Sequence, residues 1–498
     1  MANLRLPRVM THVFPTASEY DARYRHRLQQ RKVVLMTAGV MVASAVIAFI
    51  FKSAVLFTRT TNGNLLTHGA FDVIQQLSID EIKADVIIYR HKKSQSDVMT
   101  IVPQDKEQDS VFGISFRTIP TSDNGAIHVL QRSVLDGSIH YPVKDPIHEL
   151  KKGSLQTYMK ATVLEDRTVY AAASRNRLDF SNLMKVHLDA VFNPICLRKE
   201  GDWIFRQEGW RLERVDTADR DLGFNGNAYN EMRGIYGDPD QLIKRFGRRV
   251  LFADTHYGFD AEGYPEDILS LHRHDIEDAY HQFYHPTNAQ VFLYGSLDSI
   301  RDGMDILDGH LKHYPARFDL VKSSTPALQP YNLQDGTVSV HAFPSTFDEQ
   351  NYQVLLSWLL NEKPMDIRTE LCWMLIEHML MGTPESTVSG PLLGKPYYGD
   401  KVIGGLDMRH QQWTFTVGLK GVKRVHVKDV EDKIKNAIKA LVDIGGYDSD
   451  KLAGAINTVD IKVRFYMRRR NCSFFPSTDI PLYSCETIAP AISQGVSA

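Results

Sequence analysis

His128, Gln131 and Arg132 fall at helical positions i, i+3 and i+4 and therefore share one face of the predicted helix Ala126 to Asp136. Two imidazoles at i and i+4 can approach one Zn²⁺ while a carboxylate at i+3 positions the attacking water. Here only the first of those groups is present. A carboxamide at 131 cannot take a proton from metal-bound water, and a guanidinium at 132 has no lone pair to donate and repels a cation. The other polar clusters carry less. His274, Asp278, His281 and His285 recur at spacings of four, three and four, which puts them on one face of the predicted helix, a weak signal for a metal site. Cys372 sits with Trp373 and Leu375 in an apolar helix, an environment for packing and not for nucleophilic chemistry. Gly404 and Gly405 lack the Lys-Ser/Thr that would make a phosphate loop.

The run from His128 through Gly137 to Pro146 resembles the metal-site region of the pitrilysin/insulinase-like inverted-motif zinc metallopeptidases, specifically the presequence protease subgroup. Lys152-Gly-Ser-Leu-Gln-Thr157, Asp166-Arg167-Thr-Val-Tyr170, Gln207-Glu-Gly-Trp210, Asn230-Glu231-Met-Arg-Gly234 and Phe283-Tyr-His-Pro-Thr-Asn288 follow in the family's order. The resemblance implies a motif His-x-x-Glu-His with a distant glutamate as third ligand. It places His128 and Glu231 at ligand positions that keep their identity, Arg132 at the lost ligand and Gln131 at the lost base. The expectation is a pseudo-peptidase with no metal or other cofactor, in which Arg132 pairs with Glu231. A buried glutamate facing an empty metal position would otherwise be an unpaired charge. Thr157, Asp166, Arg167 and Tyr170 are expected to line a relic of the substrate cleft.

The elements that must position these groups alternate between strands and helices, an α+β arrangement. Strands are predicted at 84–89, 97–102, 111–117, 168–174 and 290–294, with helices at 126–136, 180–192, 240–252 and 274–284. After a proline-containing linker the pattern restarts, with a strand at 338–342, helices at 349–360 and 366–381, strands at 401–409 and 412–419, and helices at 427–442 and 448–458. The resemblance implies two tandem peptidase-like domains, each a mainly antiparallel sheet packed with helices. The expected boundaries are 84–314 for the first domain, 315–332 for the linker and 333–498 for the second. In the family a second half of similar size closes over the peptide. Because the sequence stops at Ala498, such a half is expected as a separate partner.

The chain has 498 residues, a formal charge of -2, 43% hydrophobic and 24% charged residues. This is globular composition for several domains, with no call for nucleic acid as partner. Val33 to Phe51 carries no charge and as a helix would span ~28 Å, about the thickness of a bilayer core. A transmembrane helix is therefore expected at 33–52, after a basic segment at 1–32 and before a lead-in at 53–83. That anchor, the damaged site and the missing half lead to the expectation of a structural subunit of a mitochondrial inner-membrane complex, of the respiratory chain or ATP synthase. Its partners would be other subunits and the lipid bilayer. The charge bias favours the intermembrane space for the body, and family precedent the matrix. A non-catalytic peptide-binding or regulatory half is the alternative, and a weak metallopeptidase a third reading. Arg468 to Arg470 form a solvated basic run or a patch for acidic headgroups, and a Cys472–Cys485 bridge stays open.

Overall fold

The structure is a computed structural model; it describes residues 67–468 apart from 80–82, 105–108, 215–221, 331–338, 342, 344–350 and 445–448. Seven strands form the main sheet: β1 (Phe71–Ile79), β2 (Ala84–His91), β3 (Asp97–Pro103), β4 (Ser110–Arg117), β5 (Gln156–Val163), β6 (Arg167–Ser174) and β9 (Ala289–Tyr294). Their order is β1-β2-β3-β9-β4-β6-β5, so β5 is an outermost strand. Every pairing is antiparallel except β3 with β9. Val111, Phe112, Ile114 and Phe116 of central β4 are buried on both of its faces, as a strand between two layers requires. Helices α2 (Arg177–Phe192) and α7 (Leu297–Leu311) lie together against this sheet and bury Phe180, Met184, Leu188, Met304 and Leu307. Each such side chain removed from water contributes about 1.5–3 kcal/mol before entropy is counted.

The second lobe is smaller. A three-stranded antiparallel sheet, β10 (Asn351–Leu359), β12 (Thr414–Lys423) and β11 (Lys401–Asp407), carries α8 (Ile367–Met381), α9 (Val427–Ile444) and α10 (Ser449–Arg468). Its core is built on Val388, Leu392, Phe415, Val417, Leu419, Val430 and Ile434. Helix α5 (Pro239–Leu251) of the first lobe packs on β10, where Asp240 accepts from Gln353 Nε2 at 2.8 Å and from Lys420 Nζ at 2.6 Å.

Several expectations change. The segment expected as a helix at 349–360 is strand β10, paired along its length with β12. Its run Val354-Leu-Leu-Ser-Trp-Leu359 is apolar but for Ser357, and such a run does not distinguish buried helix from strand by period. Strand β1 begins at Phe71, inside the expected lead-in, and β5 lies where no strand is predicted. Residues 339–341 are not in a strand, and 338 and 342 lie outside the described residues.

The expected transmembrane helix is also corrected. No helix among the described residues is long and apolar enough to cross a membrane. The longest, α10, carries Asp450, Lys451, Asp460 and Lys462 within its length. The 33–52 segment, the basic stretch before it, Arg469, Arg470, Cys472 and Cys485 lie outside the described residues. The lipid bilayer as partner, and the single-pass inner-membrane location, rested on that helix and are withdrawn with it.

Candidate functional site

Helix α1 (Ala126–Ser133) presents the degenerate motif. Its N-cap, Gly125, has φ +72°, and a Cβ there would press on the Glu262 carbonyl and the Ile268 side chain. Only glycine allows that approach without strain. The same contact brings the Glu262 carbonyl to 3.1 Å from His128 Nδ1, which fixes the imidazole with Nε2 facing the site. His128 and Gln131 are buried, while Arg132 is one-third exposed.

Arg132 is held by two carboxylates. Its Nε donates to Glu208 Oε2 at 2.6 Å and its Nη1 donates to Glu231 Oε2 at 3.1 Å. The same Glu231 oxygen lies 3.5 Å from His128 Nε2. That imidazole is the main influence holding the Glu231 carboxyl below its usual range against partial burial, and Arg132 adds to it. Glu208 is almost fully buried and its other oxygen accepts from Gln207 Nε2 at 2.9 Å and Asn227 Nδ2 at 2.6 Å. Such saturation is what a buried carboxylate requires. One turn beyond Arg132, Asp136 is pushed up to about 7 by burial and then by Glu208 and Asp145. The region is thus rich in carboxylates, and Arg132 supplies positive charge at its centre.

Backbone geometry brings the two acids together. Glu208 ends α3 (Asp202–Glu208), and Glu231 lies on α4 (Asn227–Ile235). The hairpin of β7 (Arg211–Arg214) and β8 (Leu222–Asn225) separates them in sequence. Gly226, φ +159°, closes that hairpin against the Gly209 carbonyl, where a Cβ has no room. In the sequence Glu208 is one residue of the Gln207–Trp210 landmark and nothing local marks it as a partner of Arg132. Its signal is the pair of glycines, which acquires meaning only when the hairpin closes.

Gln131 is tied to the sheet through its backbone: Tyr170 Oη donates to its carbonyl at 3.3 Å and shares a 2.7 Å hydrogen bond with Tyr284 Oη. Complete burial raises the Tyr170 phenol well above its ordinary range. The four positions expected in a relic cleft are not gathered into one. Thr157 is exposed on β5. Asp166 is buried, accepting from Tyr257 Oη at 2.8 Å and from Arg167 Nη1 at 2.7 Å, on the side facing the second lobe. What does lie beside α1 is β5.

The donor set does not fit zinc. His128 and Glu231 converge, but the third position is a guanidinium that donates to the would-be ligand. Among the described residues no group of three or more His, Cys, Asp or Glu side chains is placed to hold a metal ion. His274, Asp278 and His281 are exposed on α6 (Arg273–Phe283), and His285 Nδ1 instead accepts from the Thr287 N–H.

Residues 270–459 match the family model described as the Peptidase M16 inactive domain. Presequence protease 1, chloroplastic/mitochondrial, of Arabidopsis thaliana is 35% identical over 413 residues, covering 82% of this chain and 37% of that protein. Protein HypA of Clostridium perfringens is 29% identical over 80% of this chain and 40% of its own length. The mitochondrial presequence protease of Mus musculus is 29% identical over 80% and 38%, so this chain spans about two-fifths of the curated relatives it matches. The fold is shared with a protease from Helicobacter pylori (TM-score 0.59, 11% identity, 83% of this chain and 93% of that one). It is also shared with a putative M16-like peptidase from Alicyclobacillus acidocaldarius (TM-score 0.54, 13% identity, 83% and 95%).

These relatives correct the expected role. Those of Arabidopsis thaliana and Mus musculus are presequence proteases and none is named as a subunit of a respiratory or ATP synthase complex, so the membrane-complex reading is withdrawn. With glutamine at the base position and arginine at a ligand position, the chain is a pseudo-peptidase. By the order of its landmarks and by these similarities, it is homologous to M16-family peptidases and to the presequence proteases among them.

Proposed function

We propose that this chain is a non-hydrolytic, peptide-binding member of its family, in which Arg132 takes over the charge-balancing role of the metal. The observation that carries the reading is the Arg132 bridge between Glu208 and Glu231, 2.6 and 3.1 Å, on a helix packed beside outermost strand β5. Arg132 neutralises the acids and holds α1, α3 and α4 in place without metal. An outer strand next to that site is a surface on which an extended peptide can be added by main-chain hydrogen bonding. Loss of the base removes cleavage and leaves that surface unchanged.

Presequence proteolysis is named for the relatives, so presequence-like extended peptides are the ligand class we assign. Calorimetry of the full chain with such a peptide tests it. The expected result is saturable binding with a Kd in the micromolar range, recovery of the peptide intact, and slowed amide exchange in 156–163. No heat of binding up to high micromolar peptide would overturn the reading, as would turnover of the peptide.

A further inference from the structure

We infer that the junction between the two lobes is an acid-released latch, closed while the rings of His256 and His410 are both neutral. His410 belongs to the second lobe, in the turn between β11 and β12, and is 4% exposed. Its ring inserts between first-lobe aromatics, with centroids 5.0 Å from Phe252 and 4.8 Å from Tyr257. Neither ring nitrogen has a hydrogen-bond partner among the described residues. A neutral imidazole tolerates that socket far better than an imidazolium, which would carry a buried charge with two unpaired donors.

His256 makes the second contact. Its Nε2 accepts from the Ala327 backbone N–H at 2.8 Å, so the first lobe grips the segment leading to the second through an unprotonated nitrogen. A proton there turns the acceptor into a donor facing a donor. Just beyond, Gln329 N donates to Gln412 Oε1 at 2.5 Å and Gln412 Nε2 donates to the Gln329 carbonyl at 3.1 Å. The His410 turn and the gripped segment therefore meet at one place.

Charged groups face His410 from each element packed against it. From its own turn come Asp407, whose Oδ1 is 3.9 Å from Nδ1, and Arg409; α5 contributes Arg248, and the β5–β6 turn contributes Glu165. Glu165 accepts from Arg248 Nη1 at 2.8 Å and lies 3.4 Å from Arg409 Nη1, so both guanidiniums are engaged by it. Beside Tyr257 stand Asp166 and Arg167. Burial lowers the His410 pKa; Asp407 and Glu165 oppose this and the two arginines reinforce it. Burial also lowers that of His256, against Asp166. For a group depressed in the docked state, the contribution is complete above the ordinary value of 6.5 and is lost as pH falls below it. Glu165 and Asp407 are both held low and stay ionised through this window.

The experiment is small-angle scattering of the full chain between pH 7.5 and 5.5, with amide exchange at 407–413 and 327–329 corrected for intrinsic rates. The docking equilibrium is expected to fall by up to about tenfold per pH unit for each histidine below 6.5, with a rise in radius of gyration. His256→Gln, which retains an acceptor, combined with His410→Phe, which fills the aromatic socket, is expected to remain docked at pH 5.5. Release of this variant in parallel with the natural chain, or no change in the natural chain, would overturn the latch. Should the double variant fail to fold, histidine C2–H titration in the unaltered chain decides. Ordinary titration of both rings near 6.5 without any change in scattering refutes it.

Discussion

Arg132 and Glu208 form the tightest contact of the former metal site, with Nε 2.6 Å from Oε2, although Glu231 is the acid that family resemblance brings to mind. The two acids differ in burial: the Glu208 side chain is 6% exposed and that of Glu231 is 44% exposed. That difference decides which half of the bridge matters for stability.

Arg132→Ala is expected to destabilise the chain by about 3–5 kcal/mol, because it leaves Glu208 buried with only two amide donors. Glu231→Gln removes a partly exposed partner and is expected to cost about 1 kcal/mol or less. Denaturant titration of the two variants measures the gap; equal costs would show that Glu208 is not the anchor.

Restoring the lost groups makes a metal prediction. In Gln131→Glu combined with Arg132→His, two imidazoles and Glu231 can converge, and Glu208 is placed to accept the second N–H of the new imidazole. This variant is expected to retain one zinc per chain after dialysis and the natural chain none, read by elemental analysis.

Gly226→Ala forces a methyl group onto the Gly209 carbonyl. A loss of roughly 1–3 kcal/mol or more is expected from such overpacking. Asn227 and Glu231 should also separate from Glu208. Thermal unfolding reads the first effect, and a smaller penalty for Arg132→Ala in the Gly226→Ala background reads the second.

The acid stability of the lobe junction depends on Glu165. Burial raises its carboxyl, but Arg409 and Arg248 outweigh burial and hold it well below the usual carboxylate range. A depressed pKa contributes stability above the ordinary value of 4.5 that is lost as pH falls through the folded value. Glu165→Gln is therefore expected to lower stability at pH 7 by about 3 kcal/mol, since two guanidiniums lose their shared partner. It should also flatten the decline below pH 4.5. Urea midpoints from pH 7 to pH 3 check both signs.

The degree to which the sequence discloses this molecule varies with the distance between interacting groups. Helix α1 and its face of His128, Gln131 and Arg132 follow from local spacing, and most strands of the large sheet follow from alternating apolar runs. Strand β10 does not, because Val354 to Leu359 is apolar on both faces but for Ser357 and its identity is set by pairing with β12 (Thr414–Lys423), remote in sequence. Glu208 escapes for a related reason: seventy-six residues separate it from Arg132, and its role is created by the contact of Gly226 with Gly209. The socket of His410 is likewise assembled from Phe252, Tyr257 and Glu165, far away in the chain.

A bound zinc ion would link the state of this site to metal supply, and any strong chelator could unmake it. The guanidinium of Arg132 is covalently part of the chain, always charged and delivered at synthesis. The arrangement of Glu208, Glu231 and His128 is thereby made indifferent to metal depletion, and the fold around it has one fewer cellular input on which to depend.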